Sequence, residues 1–474
     1  MQLQSPKDPN IKRLYRWVDN HQQEIIEALR GVLQIPSVQA EPAPGAPFGQ
    51  PVRQALDYTL QLCAKLGFRV KDVDGYAGHA EFGDGTEMVA ALGHLDVVPE
   101  GDGWSYPPYG AVLDDGYIYA RGASDDKGPT YAALFAARAL MDCGVRLRRR
   151  VRIIFGCNEE SGFRCVEHYF GVAGEERPVM GFTPDASFPL IYAEKGIANL
   201  VLTSPLPGQH SPARIVSLRG GLRPNMVPES AEATITGDPA ELLRIVGVLN
   251  RYWDQNVSFD LLPDGIKIVA QGKSAHGSRP WQGDNAVTRL IRALCALQLP
   301  ETGDWLEWLL DSADVSGTGL GIAHRDDVSG ALTSNLGLIA TNDATVTVTY
   351  NVRYPVTWSM ETLRMQLKPV IAKAGWTLAE HTDSPPLYVP LDQEPVATLL
   401  RVYREATGDT ASEPRTMGGG TYARATPRTV AYGAAFPTAT QAYGPAHEPD
   451  ERIHVTTLLN ATRIYAHALY ELAK

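Results

Sequence analysis

The sequence has no long apolar run, no extended basic block and only five cysteines in 474 residues. Each shortage excludes something. No stretch reaches the roughly 20 apolar residues that a membrane-spanning helix needs, and residues 1–17 lack the apolar centre of a secretory leader. Neither membrane insertion nor export is expected. The net charge is -11 at pH 7, and the one dense group of basic residues is Arg146 with Arg148-Arg149-Arg150. That group precedes a predicted strand and reads as the cap of a helix-to-strand turn, so no nucleic-acid partner is expected. Cys63, Cys143, Cys157, Cys165 and Cys295 are odd in number and show no paired metal-type spacing. This argues against a disulfide framework and against a cysteine zinc site, and it fits a reducing, cytoplasmic compartment. Low-complexity segments and short repeats are absent as well.

What is present is ordinary globular composition, 44% apolar and 20% charged. The chain is too long for one core, so two domains are expected. Leu14, Trp17, Val18, Ile25, Leu29 and Val32 recur with a helical period across 11–32. A second amphipathic helix is predicted over 52–66, then short strands at 68–73 and 79–82. Residues 88–92 form a continuous apolar strand of the kind buried in a parallel or mixed sheet. A helix after Pro129 and strands at 151–155 and 179–182 continue a β/α alternation. This is an α/β fold with a mixed central sheet flanked by helices, in which functional residues gather at the carboxyl ends of strands. From 193 to 385 the strands lengthen and alternate, as at 344–350, and helices are predicted at 241–253, 286–297 and 360–372. The pattern predicts an inserted α+β domain with antiparallel sheet. A helix over 396–407, the Gly418-Gly419-Gly420 loop, a strand at 429–433 and a helix over 455–472 then complete the first domain. The expected division is 1–192 with 386–474, and 193–385 between them.

Several acids and histidines stand at the ends of these elements. Asp125 and Asp126 sit on a tight loop ahead of the helix that Pro129 opens; they could simply complement the helix dipole. The strand at 88–92 runs into Gly93-His94-Leu95-Asp96. Residues two apart share a face of extended chain, so His94 is a candidate metal ligand with the Asp96 carboxylate orienting its ring. The strand at 151–155 ends in Asn158-Glu159-Glu160, where one glutamate can hold a metal while the other reaches the water it carries, as a general base. Asp185 follows the strand at 179–182, in what is also a common Pro-Asp turn. His447 lies on the loop 444–449. An N/O set without sulfur suits zinc, manganese or cobalt. A carboxylate bridging two ions about 3.5–4 Å apart is the usual arrangement of two-metal hydrolases, and Asp125 is read in that role.

The strings GHLDVVP, ASDDKGP, NEESG, TPDASFP, GKSAHGSRP and GPAHEPDERI, in that order, resemble the metallopeptidase family of glutamate carboxypeptidase, acetylornithine deacetylase and the bacterial dipeptidases, and within it the broad-specificity PepV-type dipeptidases. The likeness spans nearly the whole chain. It implies that Asp125 bridges two divalent ions, that His94 and Asp185 complete the shell of one, and that Glu160 and His447 complete the shell of the other. Zinc is the expected metal, with manganese and cobalt as alternatives. Glu159 would be the general base, with Asp96 behind His94 and a cis peptide after Asp125. The inserted domain would be the family's lid. There His276 would donate to the oxyanion, while Asn225, Arg353 and the backbone of Gly418 and Gly419 would bind substrate. The length of 193–385 suits the doubled, PepV-like lid, which implies a monomer. The resemblance therefore implies a dinuclear dipeptidase acting on small peptides with a free N-terminus. An N-acyl amino acid amidohydrolase, a carboxypeptidase and a catalytically silent metal-bound binding module are the alternatives.

Overall fold

The computed structural model describes residues 2–342, 344–437 and 446–474. The chain divides into two compact units: Met1–Tyr192 with Tyr388–Arg415 and Gly420–Lys474, and Ala193–Leu387 with Thr416–Gly419.

The first unit is built on a mixed sheet. Arg150–Gly156, Met88–His94, Met180–Thr183 and Thr429–Ala431 run parallel at its centre. Ala77–Phe82 and Arg69–Val73 add antiparallel strands beside Arg150–Gly156. Met88–His94 is buried along its whole length, as expected of a parallel strand covered on both faces. The helices Lys127–Asp142 and Val455–Ala473 pack together, and nearly every residue of each is buried. Their alanine-rich surfaces leave little side chain between backbones and allow close packing on the sheet. Gly93 shows how close: a Cβ there would meet Thr130 Oγ1 at 1.9 Å.

The helical pattern over 11–32 is broken into Pro9–Asn20 and Gln22–Leu33. His21 leaves helical geometry at φ -114°, ψ 18°, and its ring Nδ1 lies 2.7 Å from the Trp17 carbonyl. That contact competes with continuation of the backbone ladder, which periodicity does not register. Arg149 and Arg150 of the basic cluster bind Glu87 and Glu81 at 2.7 and 2.9 Å. Among the described residues no helix is long and apolar enough to cross a membrane, and all five cysteines are free.

The second unit is an antiparallel sheet in two quartets. One contains Val257–Leu262, Gly265–Gln271, Ser230–Gly237 and Ala213–Gly220; the other contains Thr333–Thr341, Thr345–Tyr354, Gly196–Pro205 and Thr377–Ser384. They meet through two registered pairs, Arg219 with Ala340 and Gly220 with Ile339. The helices Pro239–Leu249 and Ala286–Ala296 accompany the first quartet, and Met360–Lys373 packs beside the second. A further helix, Gly303–Ser312, forms where the sequence pattern predicts no element. One apolar cluster takes residues from both quartets, so the two share a core.

Candidate active site

Strand register brings the first set of side chains together. Met88–His94 and Arg150–Gly156 lie side by side in parallel, with His94 opposite Gly156. Their carboxyl ends are therefore level, and the residues leaving one strand meet those leaving the other. His94 is fully buried at the last position of its strand. Its Nδ1 lies 2.9 Å from the backbone carbonyl of Asp96 and 3.5 Å from the Asp96 carboxylate. The backbone oxygen is thus the nearer partner for the ring. The Asp96 side chain does something else: its two oxygens accept the backbone N–H groups of Glu159 and Glu160, each at 3.1 Å.

Across the ring, His94 Nε2 lies 3.1 Å from Asp125 Oδ1 and 4.0 Å from Asp185 Oδ2. The other oxygen of Asp125, Oδ2, lies 3.1 Å from His447 Nε2, and that same nitrogen is 3.0 Å from Glu160 Oε1. The two oxygens of Asp125 therefore face two different histidines. Atoms of His94, Glu159 and Asp185 that could hold a metal ion form one close group, and those of His94, Asp125 and Glu160 form another. His447 holds φ +67°. Of its loop, Gly444 and Pro445 lie outside the described residues.

The paired acids 125 and 126 divide their work. Asp126 is fully buried and points away from the cluster, accepting the His94 backbone N–H at 3.2 Å and the Thr130 hydroxyl at 2.8 Å. It ties the start of the helix Lys127–Asp142 to the strand that bears His94. The Asp125–Asp126 peptide is cis. Lys127 is buried as well, and its Nζ donates to the carbonyl of Val32 in the last turn of the helix Gln22–Leu33 at 3.2 Å and to that of Ile35 just beyond it at 2.8 Å.

Electrostatics distinguish the members. Burial pushes Glu159 well above the usual carboxylate range, and the charges of Glu160 and Asp125 push the same way. Burial with the neighbouring Asp125 and Glu159 raises Asp185 likewise. Against the opposite pull of burial, hydrogen bonds from His447 and His94 hold Asp125 well below its ordinary value. Contacts with Asp125 and Glu160 carry His447 up to about 10. Crowded carboxylates of this kind gain from a cation among them. Atoms bound at about 2.1 Å to one tetrahedral zinc lie about 3.4 Å apart, comparable to the separations between His94, Asp125, Glu160 and His447. The donor set of nitrogen and carboxylate oxygen fits zinc, manganese or cobalt.

The second unit gathers its own candidates. The Gly277 N–H donates to the Asn225 carbonyl at 2.7 Å, and Met226 bridges to His276, so the loops bearing Asn225 and His276 lie side by side. His276 is exposed. Its Nδ1 lies 2.7 Å from Ser278 Oγ and accepts the Ser278 backbone N–H at 3.3 Å. An N–H can only donate, so Nδ1 is the acceptor and the proton sits on Nε2. Arg353 is buried, its Nε donating to Asn351 Oδ1 and its Nη1 to the Gly418 carbonyl, both at 2.9 Å. Gly418 lies against Ser278, and Gly419 is its chain neighbour. The buried Asn335, which the sequence did not single out, donates from Nδ2 to the carbonyls of Pro224 and Met226 at 2.9 Å and fixes the Asn225 loop.

Comparison with known proteins covers nearly the whole chain. The model of peptidase family M20/M25/M40 matches residues 90–471. A Bacillus subtilis (strain 168) protein named "putative dipeptidase YtjP" is 41% identical over 95% of this chain and 98% of its own length. A Staphylococcus haemolyticus (strain JCSC1435) protein, also named a "putative dipeptidase", is 36% identical over 96% of this chain and 98% of its own. Among solved structures, the M20 family metallo-carboxypeptidase Sso-CP2 of Sulfolobus solfataricus superposes with a TM-score of 0.55 at 18% identity, over 94% of this chain and 98% of that one. The aminoacylhistidine dipeptidase of Vibrio alginolyticus does so with 0.55 at 15%, over 94% and 96%. These two show that the fold is shared.

Proposed function

We propose that this chain, which belongs to peptidase family M20/M25/M40, is a dinuclear metal-dependent dipeptidase. One observation carries the reading: the two oxygens of the Asp125 carboxylate face His94 on one side and His447 on the other, each at 3.1 Å. A carboxylate so placed can serve two cations at once. In this reading His94 and Asp185 complete one position and Glu160 and His447 the other, with zinc as the metal and manganese or cobalt as alternatives. Two ions held there would supply Lewis acidity toward a carbonyl oxygen and lower the pKa of water. Relatives over nearly the full length named as dipeptidases support a small peptide substrate.

The chain's own residues supply the rest. The Glu159 carboxylate takes a proton from the attacking water as the water oxygen bonds to the scissile carbon. The same carboxylate returns that proton to the nitrogen as the carbon–nitrogen bond breaks, which leaves two amino acids. Asp96 sets where Glu159 stands by holding its backbone N–H. His276 donates from Nε2 toward the developing oxyanion, the work of a preorganised donor. Asn225, Arg353 and the Gly418-Gly419 backbone bind the substrate. Both quartets of the second unit come from one chain, which supports a monomer, and the five free cysteines support a cytoplasmic location; a stable dimer in analytical ultracentrifugation would contradict the first.

The test is hydrolysis by zinc- or manganese-loaded protein of several dipeptides, a β-alanyl dipeptide, a tripeptide and an N-acetyl amino acid, each with and without chelator. Chelator-sensitive cleavage of dipeptides is expected. Cleavage of the N-acetyl compound alone would move the activity to deacylation. Metal binding without any cleavage would point to a silent binding module.

A further inference from the structure

Glu451 is fully buried four residues beyond His447, and donors surround it. Its Oε1 accepts the backbone N–H of Ser124 at 2.8 Å, the Ser124 hydroxyl at 3.0 Å and the backbone N–H of Asp125 at 3.0 Å. Its Oε2 accepts Arg121 Nη1 at 2.8 Å and the Gly122 N–H at 3.1 Å. Arg121 is buried too, and from there reaches the carbonyl of Glu448 at 3.4 Å and that of Glu100 at 3.1 Å. One ion pair thus stitches together the loop that carries Asp125 and the loop that carries His447. The second loop is pinned again next door, where Asp450 accepts the Ser105 N–H at 2.7 Å and its hydroxyl at 2.8 Å.

The chemistry of this contact is demanding. A buried ion pair holds only when the remaining lone pairs and protons are satisfied, and here one carboxylate meets five donor groups. An amide in its place would turn an N–H₂ toward those donors. Yet neither Glu451 nor Arg121 belongs to the cluster of His94, Asp125, Glu159, Glu160, Asp185 and His447. We propose that Glu451 is a positioning residue: through Asp125 on one side and His447 on the other, it sets the spacing of the cation position that those two residues share with Glu160. The inference rests on the two-ion reading above. The position completed by His94 and Asp185 shares Asp125 but takes its other two residues from strand ends, so the larger effect falls on the position that includes His447.

The experiment is calorimetric titration of the metal-free full-length protein with zinc and, separately, with cobalt followed by visible absorption. Wild type is expected to take two ions. Glu451→Gln is expected to bind the first ion within about 3-fold of wild type and the second at least 30-fold more weakly, in the range seen when supports of ligands are removed. Ser124→Ala removes a single donor and keeps the ion pair; it is expected to weaken the same ion by about 3- to 10-fold, and it keeps the test decisive should Glu451→Gln not fold. Wild-type affinity for both ions in Ser124→Ala and in a folded Glu451→Gln would overturn the inference, as would an equal loss at both. A wild type that binds fewer than two ions would instead overturn the two-ion reading, a result read before any variant is compared.

Discussion

The carboxylate of Asp96 accepts the backbone N–H of Glu159 at 3.1 Å, and its second oxygen accepts that of Glu160 at the same distance. The residue two beyond His94 thus also fixes the two glutamates that follow the neighbouring strand. Asp96→Ala is expected to lower kcat and metal affinity together, each by about 10- to 100-fold, as loss of outer support does. Steady-state kinetics beside a metal titration checks this; a variant with full affinity and full turnover would refute it.

Glu159→Gln separates chemistry from metal binding. The shape of the side chain is kept and the proton acceptor is lost. Two ions per chain should remain, while kcat falls by about 10²- to 10⁴-fold, the contribution of a positioned general base. Retention of most turnover would assign the base elsewhere.

Ser278 decides the tautomer of His276. Its backbone N–H and hydroxyl both meet Nδ1, which leaves the proton on Nε2. His276→Ala is expected to lower kcat by about 10²- to 10³-fold, the scale for loss of one oxyanion donor. Ser278→Ala keeps the backbone donor and should cost less, about 10-fold in kcat with little change in KM, and Ser278→Thr should restore it. An unchanged kcat in both Ala variants would remove His276 from the reaction.

His79, outside the candidate site, links stability to pH. It is buried, accepts the Tyr169 hydroxyl at Nδ1 (2.6 Å), and is held down to about 4 by burial and then by the charge of Arg152. The folded state therefore binds fewer protons here than the unfolded chain, whose histidine titrates near 6.5. The stability is complete above about pH 6.5 and is lost as pH falls toward 4, by about 3 kcal/mol at the limit. Chemical denaturation of wild type and His79→Gln at pH 7 and pH 4.5 should show the smaller acid loss in the variant; equal losses would contradict the assignment.

Much of this architecture is legible in the sequence because burial leaves a local signature. The strands Met88–His94 and Arg150–Gly156 read as apolar runs, and each is followed by the polar residues that meet at the sheet's edge. The alternating strands of the second unit are equally plain. What the sequence conceals is contact between distant residues. Glu451 holds Asp125 from 326 positions away, and Asp126 resembles its neighbour until the fold turns it toward the His94 backbone. Asn335 is one polar residue on a strand, and only its partners Pro224 and Met226 reveal that it fixes a loop. The break at His21 escapes for a related reason: a side chain bonding to its own helix leaves the apolar period intact.

If Asp125 serves two cations, the number of ions bound per chain shows it. Elemental analysis of zinc-loaded, desalted protein should give two ions per chain in wild type, one in His447→Ala and fewer than one in Asp125→Ala. A single ion in wild type, or two retained in folded Asp125→Ala, would show that Asp125 does not bridge two ions.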